Sequence, residues 1–244
     1  MKKLLSEPSK IVLTGGTEGI GRVLRDRLLA LGHQVVVVAR RAGEMEDAPG
    51  LHGMTCDLSD AASVRAIARY LAREHADLDL LINNAAIQYP HALTDPALDL
   101  DRIEDEMAVN LLAPAILAHA LVPVLRAGGR PAGLVNVNSG LAVFPKRQTA
   151  LYCATKAGLH SLSESLRYQL AGTNVAVIEA FLPLVDTGMT AGRGSGKMSA
   201  AAAADAILAG ILAGKRHIWI GKAKLVPILA RIAPSLGRAA LRGS

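Results

Sequence analysis

Short apolar runs rich in β-branched residues alternate along this chain with longer segments in which apolar residues recur every three or four positions. The run at residues 34–39, with four consecutive valines, is typical of a strand buried on both faces. Strands are predicted at residues 10–14, 34–39, 53–56, 78–83, 134–138, 175–181 and 217–220. Helices are predicted at residues 20–31, 59–75, 99–126, 149–171 and 199–213. This alternation predicts an α/β fold, with one parallel sheet of about seven strands and helices on both faces.

The composition fits a single domain in a reducing compartment. The chain has 244 residues, of which 51% are hydrophobic and only 3% aromatic, so we expect one large and mainly aliphatic core. Cys56 and Cys153 are the only cysteines, which argues against a disulfide framework and favours a cytoplasmic protein. The seven histidines are scattered and no Cys-x-x-Cys pair occurs, so no metal site is expected. We also expect no apolar run of about 18 residues, and hence no bilayer-spanning segment.

The positive charge is concentrated at the end of the chain. The formal net charge is +6, but no acidic residue follows Asp205, whereas seven Lys or Arg residues do. We therefore divide the chain into a main domain over residues 1–220 and a basic tail over residues 221–244. The main domain shows no interleaving of basic and aromatic residues, so nucleic acid is not an expected partner.

The basic tail carries an apolar stripe with helical spacing. The stripe consists of Leu225, Ile228, Leu229, Ile232 and Leu236, and the basic residues Lys224, Arg231 and Arg238 fall seven apart. Pro227 and Pro234 predict two short helices, each with proline in its first turn. Two interpretations stay open: the tail packs on its own domain or on a neighbouring subunit, or it makes a weak contact with an anionic membrane surface.

A glycine-rich turn follows the first predicted strand. It comprises Gly15, Thr17, Gly19, Ile20 and Gly21, directly before an amphipathic helix. Glycines allow the backbone to approach a pyrophosphate, and the helix N-terminus offers free N–H groups to that anion. The turn and its setting predict a Rossmann-type, doubly wound, dinucleotide-binding domain.

The second predicted strand ends in Arg40 and Arg41, where sites that prefer NAD usually carry an acidic residue. Guanidinium groups match a 2′-phosphate, so NADP is the expected cofactor and NAD the less favoured one. The two arginines are also explicable as a solvated pair, or as partners of Glu44 and Glu46. After the third strand, Asp57 has two open roles, contact with adenine or capping of the next helix, and Leu58 lies beside it.

Tyr152 and Lys156 lie four positions apart on a predicted helix and share a face. An ammonium group near a phenol favours the phenolate, which brings the tyrosine pKa toward the range of proton transfer. Such a pair is common on helices and carries little weight alone. Here it follows, in order, the glycine turn, Asn84, Asn110 and Ser139.

With these motifs in this order, the sequence resembles the short-chain dehydrogenase/reductase family over about residues 9–220. The segments 152–157 (YCATKA) and 185–188 (VDTG) are similar to the subgroup found with lipoteichoic-acid D-alanylation genes. The resemblance implies an NADP(H)-dependent oxidoreductase that acts on CH–OH and C=O groups, a carbonyl reductase in one direction. It also implies a homodimer or homotetramer built through the helices at 99–126 and 149–171.

The resemblance also implies roles for individual residues. Tyr152 is the implied acid/base, Lys156 lowers its pKa and holds the ribose, Ser139 stabilises the oxyanion, and Asn110 holds a water linked to Lys156. The implied cofactor contacts after the later strands are Asn84, Ala85, Ala86, Pro183, Val185 and Thr187. Ala86 and Leu184 depart from the glycines usual in the family, and Leu184 places a side chain near the nicotinamide.

An apolar substrate pocket is predicted beside this set. Its expected lining is Tyr89, Leu141, Phe144, Leu184 and Met189, under a glycine-containing loop at residues 188–197. Simple loop packing explains the same residues. The favoured function is reversible, NADP-linked reduction of a carbonyl group, or oxidation of a secondary alcohol, on an apolar small molecule. An epimerase or dehydratase that retains its cofactor, and a non-catalytic NADP-binding sensor, are the alternatives.

Overall fold

The computed structural model describes residues 4–46, 48–89 and 91–242, and residues 243–244 of the basic tail lie outside them. The strands in the described residues are β1 (Lys10–Thr14), β2 (Gln34–Ala39), β3 (Leu51–Thr55), β4 (Leu78–Asn83), β5 (Ala132–Ser139), β6 (Val175–Leu182), β7 (Val185–Asp186), β8 (Met198–Ser199) and β9 (His217–Trp219). Seven of them form one sheet in the order β3-β2-β1-β4-β5-β6-β9, and every pairing is parallel. The predicted doubly wound α/β fold is therefore confirmed.

The helices cover both faces of this sheet. They are α1 (Gly19–Ala30), α2 (Ala61–Glu74), α3 (Leu100–Met107), α4 (Ala113–Ala127), α5 (Ala150–Gln169), α6 (Ala200–Leu212), α7 (Val226–Ile232) and α8 (Pro234–Arg242). Because strand side chains alternate between faces, β2 contributes Val35 and Val37 to a core with α1 and α6. Val36 and Val38 point to the other face and pack in a second core with α2 and α4.

Some predicted boundaries need correction. The third strand begins at Leu51, which pairs with Val35 of β2, so β3 starts two residues earlier than its apolar run indicates. The predicted helix at 99–126 contains a π-helical turn, Ala108–Leu112, between α3 and α4. Pro114 is the second residue of α4, directly after this turn, and Pro123 is accommodated within that helix. The short β7–β8 pair, which brackets the loop at 188–197, was not predicted.

The expectation that no segment has the length and apolar character to span a bilayer is wrong by those criteria. The continuous helical stretch Leu100–Ala127 is 28 residues long and has a mean hydropathy of 2.0 in its most apolar window. Its α4 part packs in the core through Leu117, Leu121 and Leu125, which are fully buried. A core helix of a soluble protein passes the same test, so this stretch is weak evidence for a membrane span.

The sheet order reverses direction between β1 and β4. Connections from β1 lead to β2 and β3 on one side, and connections from β4 lead to β5, β6 and β9 on the other. At such a switch point the loops after the two central strands diverge, leaving a crevice at the carboxyl ends of the strands. The loops that begin at Gly15 and Asn84 flank this crevice.

Candidate active site

A cavity of about 870 Å³ opens at the carboxyl ends of the strands. Its lining includes most of the predicted site residues: Gly15, Thr17, Gly19, Ile20, Gly21, Arg40, Arg41, Asp57, Leu58, Asn84, Ala85, Ala86, Tyr89, Ser139, Leu141, Tyr152, Lys156, Pro183, Leu184, Val185, Thr187 and Met189. Asn110 and Phe144 are buried and do not line it. One cavity therefore joins the glycine turn to the tyrosine and lysine.

The glycine turn forms a cradle that side chains would fill. Gly15 and Gly19 have φ angles of 68° and 54°, in the left-handed region that favours glycine. A Cβ atom on Gly21 would lie 2.0 Å from the carbonyl oxygen of Gly15. The side chain of Glu18, the residue before α1, makes no capping hydrogen bond, and the first turn of α1 holds no acidic residue. The uncapped N–H groups fit a pyrophosphate, since a helix N-terminus attracts anions.

Asn84 fastens the loop after β4 to this turn. Its Nδ2 donates to the carbonyl oxygens of Thr14 and Gly15 at 3.0 and 3.2 Å. In return, the Thr14 hydroxyl accepts hydrogen bonds from the backbone N–H groups of Asn84 and Ala85, both at 3.0 Å. Asn84 therefore fixes the two sides of the crevice relative to each other.

The two arginines after β2 lie at the rim of the cavity. Arg41 forms an ion pair with Glu18 of the glycine turn at 3.0 Å, and both side chains are largely exposed. Within the described residues, neither Arg40 nor Arg41 forms an ion pair with Glu44 or Glu46. Both arginines line the cavity, where exposed guanidinium groups can receive a phosphate.

Asp57 lines the cavity, but it does not cap α2. The cap is Asp60, whose carboxylate accepts hydrogen bonds from the N–H groups of Ala62 and Ser63 at 2.9 and 3.1 Å. Asp57 instead accepts from the backbone N–H and the hydroxyl of Ser59. The helix consequently begins at Ala61, two residues after the predicted start.

Lys156 is buried behind the tyrosine. Its Nζ donates to the carbonyl oxygen of Val137 at 3.0 Å and lies 5.6 Å from the centre of the Tyr152 ring. Burial lowers the pKa of the ammonium group to about 8, against the opposing attraction of the Glu179 and Glu106 carboxylates. The Lys156 ammonium therefore lies beside the phenol, in surroundings whose burial opposes its positive charge.

The Tyr152 phenol keeps its proton in this arrangement. Burial raises its pKa well above the ordinary value, and the charges of Cys153 and Glu106 act in the same direction. A hydrogen bond with Ser139 and the positive charge of Arg193 oppose this shift. The Lys156 ammonium donates to the Val137 carbonyl, and its lowering of the tyrosine pKa, which the resemblance implied, stays a prediction.

The Asn110 side chain is fully engaged with its surroundings. Its Oδ1 accepts from the Ile87 N–H at 2.9 Å, and its Nδ2 donates to the Ile87 carbonyl at 2.8 Å and to the Thr155 hydroxyl at 3.2 Å. Asn110 lies within the π-helical turn at 108–112, a distortion that is frequent at functional sites. The amide therefore positions the loop after β4, and the implied water link remains a prediction.

A buried network of hydrogen bonds lies below the site, and the sequence patterns did not predict it. Glu179 of β6 is fully buried, and its carboxylate accepts from Asn138 at 2.8 Å, Arg167 at 3.1 Å and His160 at 3.0 Å. Asn138 also donates to the Lys156 carbonyl and accepts from the Ser139 N–H, at 3.1 and 2.8 Å. The network therefore holds two of the predicted catalytic residues by their backbones.

Part of this network has the residue types of a metal site. Ligand atoms of His160, Glu164 and Glu179 all lie within 4.8 Å of one another. The Arg167 guanidinium contacts both carboxylates, and His217 pairs with Glu164. Arg167 supplies a positive charge to both acids, and the expected absence of a metal site stays a prediction.

The placement of Phe144 in the substrate pocket needs correction. The ring is buried, and a Cβ atom on Gly237 of α8 would lie only 2.4 Å from its Cζ. Phe144 therefore packs against the basic tail. The tail in turn lines the cavity through Lys222, Ala223, Val226 and Leu241, which the sequence did not indicate.

Comparison with known proteins identifies the family. The family model described as short chain dehydrogenase matches residues 9–197, which is most of the chain. The chain belongs to the short-chain dehydrogenase family. It is accordingly an NAD(P)-dependent dehydrogenase or reductase, as the motifs predicted.

Three relatives place the chain within the short-chain dehydrogenases. It is 38% identical over 183 residues to the Bacillus subtilis (strain 168) oxidoreductase DltE, covering 73% of this chain and 72% of that protein. It is 34% identical to a Streptomyces avermitilis 1-deoxy-11-beta-hydroxypentalenate dehydrogenase, with coverage of 82% and 80%. A Burkholderia cenocepacia J2315 short-chain dehydrogenase, crystallised in complex with NADP, superposes with a TM-score of 0.87 at 26% identity, covering 96% and 98% of the two chains.

One departure from the short-chain dehydrogenase pattern lies in the lining of the pocket. Leu184 lines the cavity and supports the loop at 188–197, since its Cδ2 would lie 2.5 Å from a Cβ atom on Gly194. On the same loop, Arg193 donates to the Gln88 side chain at 2.9 Å. These two contacts tie the loop to both sides of the cavity.

Glu106 is a second titratable residue that the sequence reasoning missed. Its side chain is 3% exposed, and its Oε1 has no hydrogen-bond partner among the described residues. Burial raises the pKa of this carboxyl group to about 7, and a hydrogen bond from the Tyr89 backbone and the charges of Arg193 and Lys156 oppose the shift. Only the sheet order brings it near the catalytic pair, so no local motif could reveal it.

Replacing Glu106 with glutamine should remove a pH-dependent contribution to stability. The raised pKa means that Glu106 favours the folded state below its unfolded pKa of about 4.3, and that this contribution is lost as the pH rises through about 7. The free energy of unfolding of Glu106→Gln, relative to that of the wild type, should therefore increase between about pH 5 and about pH 8 by on the order of 2 kcal/mol. Urea unfolding at both pH values measures the gain.

The matched control is Glu104→Gln, which changes an exposed residue of the same helix. Its difference from the wild type should be the same at both pH values. If the difference for Glu106→Gln is equally constant, the carboxyl group does not hold a proton in the folded protein at neutral pH.

Proposed function

We propose that this protein is an NADP(H)-dependent oxidoreductase that reversibly reduces a ketone, or oxidises a secondary alcohol, on an apolar small molecule. The observation that carries the proposal is the single cavity that joins Tyr152, Ser139 and Lys156 to the uncapped N-terminus of α1. The cofactor, when bound, supplies the hydride for reduction and accepts it in oxidation. This chemistry requires a proton donor at the substrate oxygen and a donor for the developing negative charge.

The catalytic side chains divide these tasks. Burial raises the pKa of Tyr152, which favours a protonated phenol that delivers its proton to the carbonyl oxygen as the carbon accepts the hydride. The Ser139 hydroxyl counteracts the rise in the pKa of the Tyr152 phenol and can donate to the same oxygen. Lys156 lies beside the ring, where movement of its ammonium away from Val137 would favour the phenolate needed for alcohol oxidation.

An apolar substrate is supported by the rest of the lining. Tyr89, Leu141, Leu184 and Met189 contribute apolar surface from the main domain, and Val226 and Leu241 contribute it from the tail. The name of the Streptomyces relative supports dehydrogenation of a hydroxyl-bearing compound. NADP is supported by Arg40 and Arg41 at the rim and by the NADP complex of the Burkholderia relative.

A homodimer or homotetramer in the cytoplasm completes the proposal. Large apolar side chains are exposed on the helices through which such assemblies are expected: Leu100, Met107 and Leu112 near α3, and Tyr168 on α5. Cys56 and Cys153 are both free thiols, which supports a reducing compartment.

The test is a panel of apolar ketones, followed by loss of NADPH absorbance, with NADH in parallel. We expect consumption of NADPH in preference to NADH. Arg40→Ala should weaken NADP binding about 10- to 100-fold, because a charge-assisted hydrogen bond contributes about 1.5–3 kcal/mol, and should leave NAD binding nearly unchanged. Fluorescence titration of both cofactors measures this.

Arg69→Ala is the matched control, because Arg69 is exposed on α2 and does not line the cavity. It should affect neither cofactor. Equal binding of NAD and NADP, with no effect of Arg40→Ala, would contradict the assignment of NADP. Product formation without net consumption of NADPH would favour a cofactor-retaining epimerase or dehydratase.

A further inference from the structure

The basic tail has two sides with different surroundings. On the inner side, Gly237 of α8 packs against Phe144, and Val226 of α7 lies 3.2 Å from the position of a Cβ atom on Gly140. On the outer side, four large apolar side chains are exposed by between 54% and 77%: Leu225, Ile228, Ile232 and Leu236. The domain therefore covers only one side of α7 and α8, and most of the predicted apolar stripe faces away from it.

The outer side is also strongly basic. Lys224, Arg231 and Arg238 are exposed in the same segment, and the sequence has no acidic residue after Asp205. Within the part of the chain that the structure describes, none of the three forms an ion pair, and the Arg238 guanidinium donates to the Pro234 carbonyl of its own helix. An apolar patch surrounded by uncompensated positive charge calls for an anionic and apolar partner.

Of the available partners, a second copy of the chain fits poorly. In a two-fold contact the same patch faces itself, so the basic side chains of the two tails would meet without carboxylates between them. A lipid surface matches both features, since leucine and isoleucine enter the acyl boundary while lysine and arginine remain at anionic headgroups.

We propose that α7 and α8 dock the protein on an anionic lipid surface through Leu225, Ile228, Ile232 and Leu236, with the surrounding basic residues held at the headgroups. Because Val226 and Leu241 of the same helices line the cavity, docking sets one wall of the active site against the lipid. Docking does not depend on the reaction, so its experimental test is separate from that of the proposed function.

Sedimentation with vesicles tests the proposal on the full chain. Vesicles of phosphatidylcholine with about one third phosphatidylglycerol should bind the protein at least about tenfold more tightly than pure phosphatidylcholine. Salt at about 0.5 M should weaken this binding, because it shortens the range of the attraction. Ile228→Ser/Ile232→Ser and Lys224→Gln/Arg231→Gln/Arg238→Gln should each reduce binding about tenfold or more.

The control for the apolar variant is Leu31→Ser, which removes an exposed leucine at the end of α1 and should bind like the wild type. Circular dichroism checks that every variant is folded. Unchanged binding by both tail variants, or equal binding to both kinds of vesicle, overturns the proposal. So does a dimer in size-exclusion chromatography with light scattering that Ile228→Ser/Ile232→Ser dissociates, because the patch would then belong to a subunit interface.

Discussion

Tyr152→Phe is expected to lower kcat by about 10²- to 10⁴-fold, the range associated with removal of a general acid or base. The phenol is the proton donor that the cavity holds beside Ser139, and phenylalanine keeps the ring but removes the hydroxyl. The ring still packs beside Lys156, so cofactor binding should stay within about twofold of the wild type. Steady-state kinetics and a cofactor titration together measure the two effects.

Tyr168→Phe provides a matched control on the same helix. Tyr168 is 75% exposed on α5 and takes no part in the cavity, so its variant should turn over substrate like the wild type. Undiminished kcat in Tyr152→Phe with a good substrate would show that another group transfers the proton. Loss of activity in both variants would indicate damage to the helix rather than to the chemistry.

Removal of the Glu179 carboxylate should cost up to about 3–5 kcal/mol of unfolding free energy, because the largely buried Arg167 loses one of its two carboxylate partners. In Glu179→Ala, Arg167 keeps a side chain that is only 10% exposed, and Asn138 loses the acceptor of its amide. Urea unfolding at neutral pH measures the loss. Glu179→Gln retains an acceptor for Asn138 and should lie between the wild type and the alanine variant.

The loss should be larger at low pH. The hydrogen bond to Glu179 is the main reason that the pKa of His160 is raised, against the desolvation that lowers it. A raised histidine pKa stabilises the folded state below the unfolded value of about 6.5, and this contribution disappears as the pH rises through the folded value. The alanine variant should therefore differ more from the wild type at about pH 5.5 than at about pH 8.

Asp77→Ala is the control for an ion pair at the surface. Asp77 pairs with Lys10 at 2.7 Å, but its side chain is 59% exposed, so the variant should lose less than about 1 kcal/mol. Equal losses in Asp77→Ala and Glu179→Ala would mean that burial of the network contributes nothing particular to stability.

The sequence determined the features that depend on neighbouring positions. The strand and helix periods predicted the seven-stranded parallel sheet, because a buried strand and an amphipathic helix repeat over different distances. The glycine turn was recognisable because its backbone needs φ angles that other residues avoid. Pro227 and Pro234 indicated two short tail helices, because proline is favoured in the first turn of a helix.

The tertiary structure decided the features that depend on packing between distant segments. Glu179 and Arg167 meet because β6 and α5 pack together, and Glu106 approaches Lys156 because the helix after β4 lies beside α5. Phe144, predicted in the pocket, packs against the tail instead. The Lys156 ammonium is oriented by its hydrogen bond to the Val137 carbonyl. Such contacts join residues far apart in the chain, so only the order of the strands and the burial of each group reveal them.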